Sequence, residues 1–427
     1  MKPDTIAPLP ADAPACHALD AWIDAHFDEE VRFLQALVQV PTDTPPGNNA
    51  PHAEKTAELL QGFGFAAEKY PVPAAEVHAY GLQSLTNLIV RRRYGAEGTT
   101  IALNAHGDVV PPGEGWEHDP YGGEVQDGKL YGRASAVSKS DFASFTFAVR
   151  ALEAVARPSR GAVELHFTYD EEFGGELGPG YLLREGLTKP DFLIAAGFSY
   201  QVVTAHNGCL QMEVTVHGKM AHAAIPTTGV DALRGATFIL SRLYEQNIAY
   251  RAVRSSVPGI EHPYLNIGNI EGGTNTNVVP GKVVLRLDRR VIPEEDPVAV
   301  EADVRRVIED AAADYVASSE GGPIDVEIRR LLLARSLKPQ QGNASLVAAI
   351  QRHGHAVFGE EIPTSGTPLY TDVRLYAEKG VPAVIYGAGP RTVLESNAKR
   401  ADEHLVLEDL RRATKVIART LVELLGA

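Results

Sequence analysis

Apolar residues recur at helical spacing through Leu19, Trp22, Ile23, Phe27, Val31, Leu34 and Val38, and Pro41 ends the pattern. This predicts a first helix, and a second is expected near His52–Gly62. The period then changes. Thr86–Arg92, Thr100–Ala105, Ala162–Thr168 and Asp191–Ala196 read as short strands, with a helix over Asp141–Val155 among them. Strands alternating with helices imply the α/β class: a mostly parallel sheet with helices on both faces. In such sheets ligands bind at the carboxyl ends of the strands, so the residues just after each strand are where chemistry is sought.

Near Gly208 the pattern shifts again. Leu210–His217 alternates like a half-exposed strand, Val230–Gln246 is an amphipathic helix, and Tyr264–Ile270 and Lys282–Arg290 are strands. A helix at Pro297–Ser318 and a strand at Asp325–Leu332 complete a βαββαβ order, which fits two helices on one face of an antiparallel sheet. The α/β alternation returns with a helix at Ala344–Phe358, a strand at Ala383–Tyr386 and a helix at Leu407–Leu425. The expectation is an α/β domain over 1–208 and 337–427, with 209–336 inserted as an α+β lid. There is no internal repeat and no low-complexity segment.

A length of 427 residues suits two or three domains, and 44% hydrophobic with 22% charged residues is ordinary globular composition. A formal charge of −15 argues against nucleic acid and anionic membrane surfaces as partners. Two cysteines, Cys16 and Cys209, build neither a disulfide framework nor a cysteine-rich zinc site. With no signal-peptide pattern and no long apolar run, a cytoplasmic protein is expected.

Three strand ends carry polar clusters. The first is His106-Gly107-Asp108, where a carboxylate two residues from an imidazole can hold the ring tautomer while the other nitrogen binds a metal. The second is Asp170-Glu171-Glu172, whose adjacent glutamates can divide the roles of general base and metal ligand. The third runs from Gly132 to Asp141 into a helix, with Ser138 and Asp141 spaced as a capping box.

Together these motifs resemble the acetylornithine deacetylases, succinyl-diaminopimelate desuccinylases and glutamate carboxypeptidases, which are co-catalytic zinc enzymes. The resemblance covers nearly the whole chain. It extends through Trp116, Asp127-Gly128-Lys129-Leu130-Tyr131-Gly132-Arg133, Gly218-Lys219-Met220-Ala221-His222, Gly272-Gly273, Asn277-Val278-Val279-Pro280, Asp288 with Arg290, and Asp372. It implies a lid that also forms a homodimer. It implies His106 as a first-metal ligand and Glu172 as a second-metal ligand. The bridging carboxylate, however, falls at Val137, the other first-metal carboxylate at Gly197, and the second-metal histidine at Lys399. Active-site zinc normally takes three protein ligands, so no cofactor is expected beyond a single weakly bound zinc. The groups an amide hydrolase needs besides metal remain. The resemblance makes Glu171 the general base, Asp108 the orienter of His106 and His222 the oxyanion donor. Asn277 and Arg290 would hold the substrate, Arg290 being suited to a carboxylate.

The sequence thus supports hydrolysis of an amide or related C–N bond in a small carboxylate-bearing molecule, with Lys399 supplying the charge the metals would have given. Two alternatives stay open at this point: metal-free proton transfer by an isomerase or lyase using Glu171 and Lys399, or a catalytically inactive binding subunit. Plainer readings stand beside each motif: a structural His106–Asp108 pair, a solvated Glu171–Glu172 loop, an exposed Lys399, and a lid-packing His222. Ser138 beside Lys139 invites a Ser–Lys nucleophile pair, but adjacent residues at a helix start point apart.

Overall fold

The computed structural model describes residues 8–318 and 322–426. They form two compact units, one from residues up to 204, 339–365 and 371 onward, the other from 205–338 with 366–370. The edges expected at 208/209 and 336/337 thus fall at 204/205 and 338/339. The physical reason is that His206 and Leu337 exchange backbone hydrogen bonds of 3.2 and 3.1 Å, which close the base of the second unit. The excursion at 366–370 carries no signal in the sequence; Gly366 N–H donates to the Pro258 carbonyl at 2.7 Å.

The first unit is built on an eight-stranded sheet, in the order 67–71, 86–93, 162–168, 100–106, 192–195, 383–385, 202–206, 364–367. The four strands 162–168, 100–106, 192–195 and 383–385 run parallel. Every residue of Ala162–Thr168 is buried, as a strand covered on both faces requires. Helices Pro14–Val38, Lys139–Val155, Ala344–Phe358 and Leu407–Leu425 pack on one another as a layer. Their apolar faces join the strands in one core containing Leu34, Leu103, Phe145, Phe167 and Ile417. A three-stranded ribbon, Val125–Gln126, Lys129–Tyr131 and His404–Val406, ties the chain near Gly132 to the chain near Glu403. Its short strands, like Ala67–Pro71 and Val202–His206, are not predicted from periodicity.

The second unit has the antiparallel order 264–272, 282–291, 208–217, 325–334. Leu210, Met212, Val214 and Val216 alternate inward and pack with Ala236, Ile239 and Leu243 of helix Ala232–Tyr250 and Val304 and Ile308 of helix Pro297–Ala317. Among the described residues no helix is long and apolar enough to cross a membrane.

Candidate functional site

Strands Thr100–His106 and Ala162–Thr168 are parallel neighbours, and His106 lies opposite Thr168. That register, together with a Gly107 N–H to Thr168 carbonyl bond of 2.8 Å, delivers His106 and the turn Glu171–Phe173 to the same end of the sheet. Gly175, at φ 79°, lets the chain turn back there; a β-carbon at that position would stand 2.1 Å from Asp372 Oδ1.

His106 Nε2 lies 4.0 Å from Glu171 Oε2. Its Nδ1 donates to the main-chain carbonyl of Asp108 at 3.0 Å, while the Asp108 carboxylate is farther, at 3.5 Å. The Asp108 residue thus faces the ring with both its main-chain carbonyl and, farther off, its carboxylate. The buried Asp108 carboxylate also accepts the Glu172 N–H at 3.0 Å, fixing the glutamate turn. Burial disfavours the imidazolium, but the Glu171 carboxylate and the Asp108 bond outweigh it and lift His106 to about 10. Burial pushes Glu171 up to about 7, against the pull of His106. Asp170 and Asp372, both buried, are raised well above the usual carboxylate range, first by desolvation and then by neighbouring negative charge.

Lys399 completes the cluster from the loop between strands Ala383–Ile385 and His404–Val406. Its Nζ stands 2.7 Å from Glu172 Oε2, and Glu172 Oε1 has no partner among the described residues. Desolvation opposes the ammonium, but Glu172 and then Glu171 raise its pKa above the ordinary lysine value. Lys399 adopts φ 62°, a left-handed conformation unfavourable for a residue with a β-carbon, so the surrounding loop must hold it. Glu403 does so, accepting the Lys399 N–H at 3.3 Å, the Ala136 N–H at 3.3 Å and the Arg133 guanidinium at 2.6 Å.

The capping box expected at Ser138 and Asp141 does not form. Ser138 Oγ takes the His106 N–H and donates to the His106 carbonyl, both at 3.1 Å, because this brings the chain entering the helix against the end of the His106 strand. Asp141 turns away and accepts the Ala388 N–H at 2.7 Å. Sequence reasoning gave this residue no other definite place, although an acidic side chain inside an apolar helix stretch was the available signal. The Lys139 ammonium donates to the Leu37 and Val40 carbonyls, pointing away from Ser138.

In the second unit, His222 and Asn277 are brought together on a short ribbon: Ala221–His222 pairs with Val278–Val279, and Ala223 N–H donates to the Asn277 carbonyl at 3.0 Å. Both are exposed. His222 Nδ1 accepts the Ala224 N–H at 3.0 Å, so the neutral ring carries its hydrogen on Nε2. Arg290, on strand Lys282–Val291, is held by Asp288 at 2.8 and 3.4 Å and lies over the Tyr370 ring, so its guanidinium is already engaged on one edge.

The donor set can be set against a two-metal centre. Val137 offers hydrocarbon, Gly197 no side chain and Lys399 an ammonium, where the resemblance puts ligands. A β-carbon at Gly197 would meet the Ile385 methyl at 2.1 Å, so even its side-chain direction is filled. Among the described residues no three His, Cys, Asp or Glu side chains converge to hold an ion. The residues present do not fit a pair of zinc ions.

A parallel-stranded α/β unit with paired glutamates just after strand Ala162–Thr168 is joined to a βαββαβ unit. The profile of peptidase family M20/M25/M40 matches residues 102–423, and the chain belongs to that family. It is 27% identical to a succinyl-diaminopimelate desuccinylase of Methylorubrum extorquens, over 91% of this chain and 97% of that protein. It is 26% identical to an acetylornithine deacetylase of Myxococcus xanthus, over 88% and 93% respectively. Human carnosine dipeptidase 1 shares the fold with a TM-score of 0.76 at 18% identity, covering 99% of this chain and 100% of that one. A Bacillus subtilis protein described as a dinuclear metal binding peptidase of the M20 family does so with a TM-score of 0.63 at 19% identity, covering 94% and 99%.

Proposed function

We propose that this protein hydrolyses the amide bond of a small carboxylate-bearing molecule, using an ammonium in place of the family's second metal. One observation carries the reading: Lys399 Nζ lies 2.7 Å from Glu172 Oε2, in the same cluster as Glu171. The relatives' names, a desuccinylase and a deacetylase, support an N-acyl bond as the target.

Glu171 takes a proton from water as the water oxygen adds to the amide carbon. The carbonyl electrons move onto oxygen, and Lys399, with His222 of a second copy as a further donor by the family resemblance, stabilises the oxyanion. Glu171 returns the proton to nitrogen, the C–N bond breaks, and amine and carboxylic acid are released. Asp108 fixes the glutamate turn through its bond to Glu172. Asn277 and Arg290 hold the substrate's carboxylate end, Arg290 through the guanidinium edge that Asp288 leaves free. Association of two copies is part of the proposal. Its support is the exposed apolar set Leu233, Tyr244 and Ile248 on helix Ala232–Tyr250, beside the edge strand Tyr264–Gly272.

A panel of N-acyl amino acids and dipeptides, assayed with and without chelator, tests the reading. Hydrolysis that survives chelation and is lost in Glu171→Ala is the expected result. Activity that disappears on chelation and returns with zinc would overturn it.

A further inference from the structure

The segment bearing Lys399 leaves the main sheet after Ile385 and returns at His404. Its return is fixed by Glu403, as described above. Its departure has its own anchor. The loops following strands Phe192–Ala195 and Ala383–Ile385 are zipped by backbone: Tyr386 N–H to the Ala195 carbonyl at 2.9 Å, Gly389 N–H to Gly197 at 2.8 Å, Ser199 N–H to Gly389 at 3.1 Å. Asp141 reaches this zipper from helix Lys139–Val155. Its buried Oδ1 accepts the Ala388 N–H at 2.7 Å, and the Gly197 amide also bonds to the carboxylate. Gly387 makes the approach possible, because a β-carbon there would stand 2.0 Å from Asp141 Oδ1. The carboxylate therefore fills the space of a side chain at 387 and ties together two strand ends and a helix.

We infer that Asp141 is a positioning residue for Lys399. One carboxylate, Asp141, clamps the start of the 386–403 segment, and another, Glu403, clamps its end. Between them the loop is held tightly enough to keep Lys399 in its left-handed conformation with its ammonium on Glu172. Where a metal would join separate strand ends through its ligands, here a side chain joins them through backbone amides. The residue touches no substrate; it acts through the loop.

The inference rests on the proposed reaction only for its kinetic consequence, so the test has two arms. Amide hydrogen exchange at Ala388 and Gly197 is measured in the full-length protein, with Leu193 and Ile194 of the neighbouring strand as internal reference. In Asp141→Ala the two clamped amides are expected to exchange at least about tenfold faster while the reference amides stay within about twofold. Asp141→Asn keeps an Oδ1 acceptor and should keep Ala388 protected to within about threefold. Gly387→Ala leaves Asp141 in place but drives its carboxylate out, so it should reproduce the Asp141→Ala exchange pattern. In the N-acyl amino acid assay, Asp141→Ala should lower kcat by about tenfold with KM within about twofold, and Asp141→Asn should recover most of it. Unchanged exchange at Ala388 in Asp141→Ala would overturn the clamp. A loss confined to KM would overturn its role in placing Lys399. If the unmodified protein hydrolyses nothing in the panel, the functional reading fails while the exchange arm still decides the clamp.

Discussion

Two carboxylate–cation pairs lie at opposite ends of one short loop, and they differ in how completely they are closed. Glu403 and Arg133 are both about 1% exposed, and both Glu403 oxygens accept bonds, from Arg133, Ala136 and Lys399 amides or guanidinium. Glu172 and Lys399 share one bond of 2.7 Å, the lysine side chain is 51% exposed, and Glu172 Oε1 has no partner among the described residues. In the closed pair both carboxylate oxygens are spent on the fold, although Arg133 Nε stays buried without a partner among the described residues. An open pair keeps a lone pair and two ammonium hydrogens available for something else. The contrast separates framework from chemistry without reference to sequence motifs.

The largest effect should come from the closed pair. Glu403→Ala strands a buried guanidinium and is expected to cost about 3–5 kcal/mol in urea unfolding, enough to leave much of the protein unfolded. Lys399→Ala should behave oppositely: a loss of about 1 kcal/mol or less in stability, with a rate loss of roughly 10²–10³-fold in the N-acyl amino acid assay. Comparable stability losses for the two variants would erase the distinction.

Glu30 extends the comparison to a buried carboxyl with no bonded cation. It accepts only the Thr414 hydroxyl at 2.6 Å, and desolvation pushes it up to about 8. Below the unfolded value near 4.5 both states hold the proton. As pH rises toward 8 the unfolded state has lost it and the folded state has not, so stability falls over that window by a few kcal/mol, on the order expected from such a shift. Glu30→Gln should flatten this dependence, read as the difference in urea midpoint between pH 5 and pH 8. An unchanged slope in the variant would place the titrating group elsewhere.

The smallest effect concerns metal. With Lys399 on Glu172, purified protein should hold less than about one equivalent of zinc after dialysis. Val137→Asp with Gly197→Glu and Lys399→His restores the missing donor types, yet a side chain at 197 collides with Ile385. The triple variant should therefore stay metal-poor, and adding Ile385→Ala should let it bind. Two tightly bound zinc ions in the unmodified protein would reverse the assignment of Glu172 and Lys399 to an open ion pair.

Much of the frame was legible because the longer elements repeat their apolar positions at a regular period: Ala162–Thr168 and the helices Ala344–Phe358 and Leu407–Leu425 match their expected bounds. Thr364–Thr367 and Ala67–Pro71 were not legible, since their pairing comes from neighbouring strands and their side chains carry little apolar signal. At the site, Glu171, Glu172 and His106 could be located from position after a strand, and Lys399 from the family resemblance, which sets a ligand four residues before Glu403. Asp141 was misplaced because local spacing suggests a cap, whereas its partner lies 247 positions away. The Ile385 methyl over Gly197 was equally hidden, for packing direction is absent from a one-dimensional pattern.

The bond from His106 Nδ1 to the Asp108 carbonyl ends in a main-chain oxygen. Replacing Asp108 with asparagine or alanine would leave that acceptor where it is. One of the two Asp108 groups that face the ring therefore survives any substitution there, and losing that one requires a change in the course of the backbone. A chain exploring new chemistry could thus rewrite neighbouring side chains and still present the same nitrogen to whatever comes next.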